Sequence, residues 1–342
     1  MQITEPNRKP GKQAVLLLAH GTPETIDQIP EYLRNVTGGR PLPQQVVEEI
    51  QHRYSLIGRS PLTEITLEQG RLVEEELADS GSPVPVYVAM RNWRPYISDV
   101  VGQMRADGVQ EAAVLCMAPQ NSRTSVGLYR RAVEAEAVAE GGGLRVDFTE
   151  AWAQHPLLIE AFAERLRPAL ASLSAEAGHA VPVLFTAHSV PCHTIQTPAA
   201  RSEHNRESQT RMTPEAGADP YAQEAKRTAA LVAERVPGIP RRFFAFQSQG
   251  VSGGPWIGPT VEETLDALAA EGLQTLLLQP IGFLCDHVEI LYDVDIFFCG
   301  YAAQLGIRLE RPESLNASPT LARAVADLAR QGLARLRGTF PE

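Results

Sequence analysis

Leu184–Pro191 reads LFTAHSVP, an apolar β-type run that ends on His188 and is stopped at once by a small polar residue and a proline. A histidine leaving the C-terminal end of a buried strand stands where open α/β sheets place their ligand chemistry. About half the chain length earlier, Leu16–Pro23 reads LLLAHGTP, so Ala19-His20 and Ala187-His188 close matching strands. A second echo agrees: Met117-Ala118-Pro119 and Leu278-Gln279-Pro280 end later strands at a similar separation. Repetition at half length predicts two similar halves.

Working outward, Ala14–Ala19, Val84–Met90, Ala112–Ala118 and Arg145–Thr149 read as four strands. Val181–Ala187, Arg242–Gln247, Thr275–Pro280 and Ile307–Glu310 read as four more. Continuous apolar runs of this kind belong to strands covered on both faces of a parallel sheet. Helical patterns alternate with them. A helical region runs to about Arg53, broken at Gly38-Gly39-Arg40-Pro41, and Ser60-Pro61 opens a long helix. Pro95–Ala106, Ser125–Ala139, His155–Leu173, Tyr221–Arg235 and Thr260–Ala270 follow, and Ser318 as N-cap with Pro319 at the first position starts the last. The expectation is an α/β protein of two similar Rossmann-like halves, each a parallel four-stranded sheet flanked by helices. Residues 13–155 form the first, with the helix 318–337 packing back on it, and residues 156–315 the second. Residues 1–12 read as a flexible polar tail with no apolar core like that of a signal peptide. Cys192–Gly217, of mixed charge and no period, reads as an exposed loop.

A net charge of −10, with 44% hydrophobic and 21% charged residues, suits a globular protein and argues against a nucleic-acid surface. No apolar run approaches the roughly 20 residues of a membrane span, so neither nucleic acid nor membrane insertion is expected, and the cytoplasm is the default location. Cys116, Cys192, Cys285 and Cys299 form no Cys-x-x-Cys, and reduced thiols are expected. After Ala19 comes His-Gly-Thr-Pro rather than a Gly-rich phosphate loop, and no nucleophile elbow is present, so nucleotide chemistry is disfavoured.

Gly282–Asp295 reads GFLCDHVEILYDVD. As a helix it would put Asp286, Glu289 and Asp293 on one stripe, whose mutual repulsion asks for compensation. A divalent cation would supply it, since hard oxygen ligands suit such ions; a solvated acidic face is the plainer alternative. His188 has the same two readings. It is either a hydrogen-bonded strand end, or an imidazole that shares a pocket with a carboxylate and can ligate metal and accept protons.

With TAHSVP, Phe246–Val261 (FQSQG…GPWIGPTV) and GFLCDHVEILYDVD, the chain closely resembles the ferrochelatase family, whose fold is that of the class II chelatases. LLLAHGTP, GRSPLTEIT at Gly58–Thr66, MRNWRPYI at Met90–Ile97 and APQNSRTSVGLYRRA at Ala118–Ala132 match family segments in order. The resemblance implies insertion of Fe2+, as substrate, into a porphyrin with release of two pyrrole protons and no organic cofactor. It implies that His188 and Glu289 face the macrocycle as iron ligands and proton acceptors, with Asp293 as an outer acidic ligand that relays metal. It also implies that His20, Arg53, Tyr54, Ser60 and Tyr129 line the porphyrin and its carboxylates. The chain looks most like the soluble bacterial enzymes that convert coproporphyrin III to coproheme, and a monomer is expected.

Three departures stand out from the family's pattern. His20 replaces a tyrosine, and either ligates the product iron or only fills the space. Thr37 or Gly38 falls where an arginine is common. The 192–217 insert is long. The cysteine pattern of relatives with a 2Fe–2S cluster is not reproduced, so no cluster is expected. The alternatives are a protoporphyrin IX ferrochelatase, a non-catalytic porphyrin or haem carrier, and a cobalt or sirohydrochlorin chelatase, for which His287 and His20 would be further metal donors.

Overall fold

Every residue of β1 (Gln13–Ala19) is buried in the computed structural model, which describes residues 11–123, 125–138, 143–192, 219–249 and 255–338. A strand without a wet face belongs inside a parallel sheet covered on both sides. β1 lies between β2 (Val86–Met90) and β3 (Glu111–Cys116), with β4 (Arg145–Thr149) beyond β3, all parallel. β5 (Val183–His188) has the same place in a second parallel sheet, between β6 (Arg242–Gln247) and β7 (Thr275–Pro280), with β8 (Arg308–Glu310) outside. The two strand orders are equivalent, which is the structural form of the sequence echo. In both, the order reverses beside the first strand, and the crevice at such a switch point is where open sheets bind ligands. Ala19 pairs with Met90 and His188 with Gln247, so both histidine-bearing ends reach that crevice.

Helices fill the crossovers. In the first half these are α1 (Ile29–Val36), α2 (Gln44–Ile57), α3 (Leu62–Asp79), α4 (Ile97–Ala106) and α5 (Val126–Val138). α2 runs past Arg53 and ends at Gly58, whose φ of 78° only glycine takes without strain. The second half has α6 (Pro156–Ala177), α7 (Tyr221–Arg235), α8 (Val261–Ala270), a single turn α9 (Val288–Leu291), a π-helical stretch (Asp293–Phe298) and α10 (Cys299–Gln304). The last helix, α11 (Pro319–Leu336), is capped by Ser318, whose Oγ accepts from Leu321 N at 3.2 Å.

α11 packs on β3, β4, α3 and α6. A Cβ at Gly332 would come within 2.9 Å of Ala113 Cβ, so glycine there lets the helix lie close on the sheet. The largest core is shared: Leu17, Val73 and Leu115 of the first half belong to one cluster with Phe162, Phe185 and Leu277 of the second. Separate cores fill the outer face of each sheet. Polar ties also cross between the halves. Gln120 Nε2 donates to Ile281 O at 3.0 Å, Asn121 N to Glu224 Oε2 at 2.6 Å and Arg123 N to Asp219 Oδ2 at 2.7 Å. The wall of the crevice is thus braced where the loops after β3 and β7 meet.

The tail to residue 10 and nearly all of the 192–217 insert lie outside the described residues. Lys12, placed in the flexible tail by its composition, is anchored: Nζ donates to Asp107 O at 2.7 Å and its carbonyl accepts from Gln110 N at 2.9 Å. Among the described residues no helix is long and apolar enough to cross a membrane.

Candidate active site

The crevice is a cleft of about 360 Å³, lined from the first half by the loops after β1, β2 and β3 and from the second by those after β5 and β7. Its second-half wall depends on a close backbone crossing. After β7, Ile281 N donates to Thr186 O at 2.8 Å, and Gly282 passes so near β5 that a Cβ would sit 3.1 Å from Ala187 Cα. The chain then runs as a bent, non-helical loop to His287, which is extended, before the short turn α9. Gln247 Nε2 donates to Glu289 O at 3.1 Å, and Thr186 Oγ1 holds Gln247 Oε1 at 2.6 Å, which fixes the turn against β5 and β6.

Glu289 therefore stands between two imidazoles. Oε1 is 3.3 Å from His188 Nε2, and Oε2 is 3.3 Å from His287 Nε2. Each ring is tied at Nδ1 to a backbone carbonyl, His287 to Cys285 O at 3.0 Å and His188 to Ser189 O. A carbonyl only accepts, so both Nδ1 atoms carry hydrogen, and each Nε2 faces the carboxylate, to which it donates when its ring is protonated. Burial opposes charge on His188, but the Glu289 carboxylate outweighs it and raises the imidazole pKa. Burial would raise Glu289, but the two imidazoles hold it well below the usual carboxylate range. Phe283 and Trp256 lie 6.2 and 6.4 Å from the His188 ring.

The three carboxylates expected on one stripe are not on one face. Asp286 precedes the helix and turns away, bonded by Ser314 Oγ at 2.6 Å, Asn316 Nδ2 at 2.8 Å and Arg311 at 3.2 Å. The helical period fails here because the segment is non-helical through His287 and, after a single α turn, continues as a π-helix. Asp293 is buried but does not line the cleft. Ser248, at the unusual φ of 62°, donates to its Oδ2, and Arg53 Nη1 lies 3.4 Å from Oδ1. Burial, with Glu289 adding, pushes Asp293 up to about 6 against the pull of the Ser248 hydrogen bond. Arg53 also pairs with Glu49 at 3.0 Å and stacks 5.0 Å over Tyr292, outside the cleft lining. His188 and Glu289 are thus brought together, while Asp293 and Arg53 form a pair behind them. Among the described residues no group of three or more His, Cys, Asp or Glu side chains is arranged to hold a metal, and the four cysteines are free.

On the first-half wall His20, Tyr54, Ser60 and Tyr129 all line the cleft. His20 Nε2 lies 2.9 Å from Asn92 Nδ2, and Nδ1 lies 3.0 Å from Tyr32 OH and 3.2 Å from Gly21 O. The Gly21 carbonyl places hydrogen on Nδ1, so Nε2 accepts from Asn92 and neither nitrogen is spare. Burial, helped by Arg91, lowers its pKa to about 4 and keeps it neutral. Tyr54 OH bonds Thr22 Oγ1 at 2.9 Å, and burial pushes the phenol up to about 12. Burial raises Tyr129 as well. Both phenols stay protonated.

Three residues here escaped sequence reasoning in these roles. His287 was considered only as a further metal donor, yet it is the second imidazole on Glu289. Asn92 occupies the one nitrogen by which His20 could meet a metal. Arg91 lines the cleft with its guanidinium 5.2 Å over the Tyr129 ring. Their only signal was position, directly after a strand end or beside an acid.

The family model for ferrochelatases matches residues 12–333. A ferrochelatase of Acidobacterium capsulatum is 57% identical over 328 residues, 96% of this chain and 97% of its own. A coproporphyrin III ferrochelatase of Mycolicibacterium vanbaalenii is 34% identical over 319 residues, 92% of this chain and 88% of its own. Among solved structures, the cobalt complex of the sirohydrochlorin chelatase SirB from Bacillus subtilis matches with a TM-score of 0.55 at 12% identity, over 96% of this chain and 98% of its own. That likeness is one of fold: the two-sheet chelatase architecture read from the sequence is the one observed.

Proposed function

The chain belongs to the ferrochelatase family, enzymes of metal insertion into a porphyrin, and on that premise we propose that it inserts Fe2+ into coproporphyrin III. The observation that carries the reading is Glu289 held between His188 and His287 in an aromatic-walled cleft. Metallation replaces two pyrrole N–H protons by one divalent ion, so the site must take two protons where the metal enters. The two Nε2 atoms flanking an ionised carboxylate meet that demand when their rings are neutral. The raised pKa of His188 favours proton uptake, and the Glu289 charge offsets the positive charge that accumulates. His188 Nε2 and a Glu289 oxygen are the proposed iron ligands before transfer, and Asp293, one turn beyond, is the outer acidic group. The reading asks for no organic cofactor.

The coproporphyrin assignment is supported by relatives named for that substrate and by hydroxyls on the first-half wall, Ser60, Tyr54 and Tyr129, able to donate to carboxylates. A haem carrier would need a strong axial ligand, and His20 has no free nitrogen to be one.

The test is anaerobic Fe2+ insertion assayed with coproporphyrin III and protoporphyrin IX side by side. Coproporphyrin III is expected to have the higher kcat/KM, and His188→Ala or Glu289→Ala to abolish turnover in a folded protein. A preference for protoporphyrin IX would overturn the substrate, and a fully active double variant would overturn the assigned roles.

A further inference from the structure

The first-half wall carries a charge that the chemistry above does not use. Arg91 directly follows β2, and its backbone N donates to Ala19 O at 2.9 Å, so its Cα is fixed to the end of β1. Its side chain reaches into the cleft beside Tyr129. Its side chain hydrogen-bonds Tyr129, but its Nε is buried with no hydrogen-bond partner, and among the described residues no carboxylate is paired with it. By contrast Arg311, whose side chain is mostly buried, has two carboxylates, Asp286 and Asp295. Ser60 Oγ, on the same lining, is likewise buried and unpartnered.

A buried guanidinium N–H and a buried hydroxyl left unpaired are unfavourable, and an anion with planar oxygens satisfies both. Resting on the coproporphyrin reading, we propose that Arg91, with Ser60, receives one carboxylate of the porphyrin rim and is the residue that selects a four-acid porphyrin. Coproporphyrin III carries a carboxyethyl group on every pyrrole ring, so any rotation in the cleft brings an acid to this wall. Protoporphyrin IX carries acids on two neighbouring rings only. It either sets a vinyl group against Arg91 or turns its vinyl edge to water. A site built to hydrogen-bond a group rejects the analogue that lacks it because its own donors stay unpaired.

The test is porphyrin affinity and insertion kinetics for wild type, Arg91→Lys and Arg91→Met, each with coproporphyrin III and protoporphyrin IX. Binding is read without iron by porphyrin fluorescence. For Arg91→Met the coproporphyrin Kd and KM are expected to rise about ten- to a hundredfold, with kcat changed far less and protoporphyrin IX nearly unaffected. Arg91→Lys is expected to restore part of the difference. If wild type prefers protoporphyrin IX, the coproporphyrin reading itself fails. If wild type prefers coproporphyrin III but Arg91→Met weakens both porphyrins equally or neither, that reading stands and Arg91 is not its selector. Should Arg91→Met not fold, the same comparison made with Arg91→Lys decides, since loss of the bidentate fork alone must narrow the preference.

Discussion

Replacing Gly282 by alanine tests how far the catalytic geometry depends on one close backbone crossing. The added Cβ would lie 3.1 Å from both Ala187 Cα and Ala187 Cβ and 3.4 Å from His188 N. Carbon atoms rest at about 3.5–4.0 Å, so something must move by roughly half an ångström. β5 cannot yield: Ala187 is fully buried and paired with Phe246 in the sheet. The Gly282–Glu289 loop must move instead, carrying Phe283 and His287, while Glu289 is held back by Gln247.

A misplacement of about 1 Å is worth some hundredfold in rate, so half of that predicts a kcat about tenfold lower. Overpacking of this kind costs about 1–3 kcal/mol, partly offset by up to ~1 kcal/mol from the stiffer unfolded chain. The expected net loss is thus about 1–2 kcal/mol. The assays are anaerobic iron-insertion rate and urea unfolding. Gly102→Ala is the control: it is an exposed position in α4 with nothing within 4 Å of the new methyl. That variant should keep its kcat and gain up to about 1 kcal/mol from helix propensity. A Gly282→Ala protein with wild-type rate and stability would refute the account of how Glu289 is positioned.

Glu289→Gln removes the main charge that raises His188, leaving only the Ser189 hydrogen bond and Asp293 against burial, so the imidazole pKa should fall from its wild-type value, read by NMR of the ring protons. In wild type the raised His188 contributes stability that is full below pH 6.5 and is lost as pH rises through its folded value. The depressed Glu289 contributes stability above its unfolded pKa that is lost as pH falls through the folded one. The stability gap between wild type and Glu289→Gln should therefore be widest between these limits, and kcat should fall about 10²–10⁴-fold; an unmoved His188 titration sinks the coupling. Asp293 has the opposite sign. Its pKa is raised from 3.8 to about 6, so the folded state is penalised as pH climbs through that window. Asp293→Asn should stabilise the protein at pH 7 by up to about 3 kcal/mol, less whatever the Arg53 contact contributes, and give no gain below pH 4. Equal gains in urea unfolding at both pH values would contradict it.

The strands were legible because a run such as TLLLQP, bounded by turn residues and too apolar for solvent, has one place to go; β4, β6 and β7 have the bounds their patterns suggested. The pairing of His188 with Glu289 was legible once both lay at strand ends of one half. Asp286 was misread because a stripe assumes 3.6 residues per turn, and this segment is a non-helical loop at its start and π-helical at its end. Nothing in GFLCDHVEILYDVD announces that change of period. Arg91 was passed over because an arginine's role depends on whether an acid folds against it, which is a tertiary fact. The state of His20 likewise depends on Asn92 and Tyr32, supplied by other elements.

The two strand ends that read alike are chemical opposites, and the opposition gives the proposed reaction a direction. Around His188 the partners are a carboxylate and a second imidazole, so that wall attracts a cation and takes up protons. Around His20 the partners are an amide, a phenol and a carbonyl, every ring nitrogen is used, and the nearest charge is Arg91. A divalent ion is repelled from that wall, and a porphyrin carboxylate is drawn to it. Had both halves kept an acid beside the histidine, iron could approach either face of the ring and be held between them after insertion. On the proposed reading, leaving one histidine neutral and fully bonded confines metal entry and proton exit to the Glu289 side, and leaves the metallated product without a ligand from His20 to retain it.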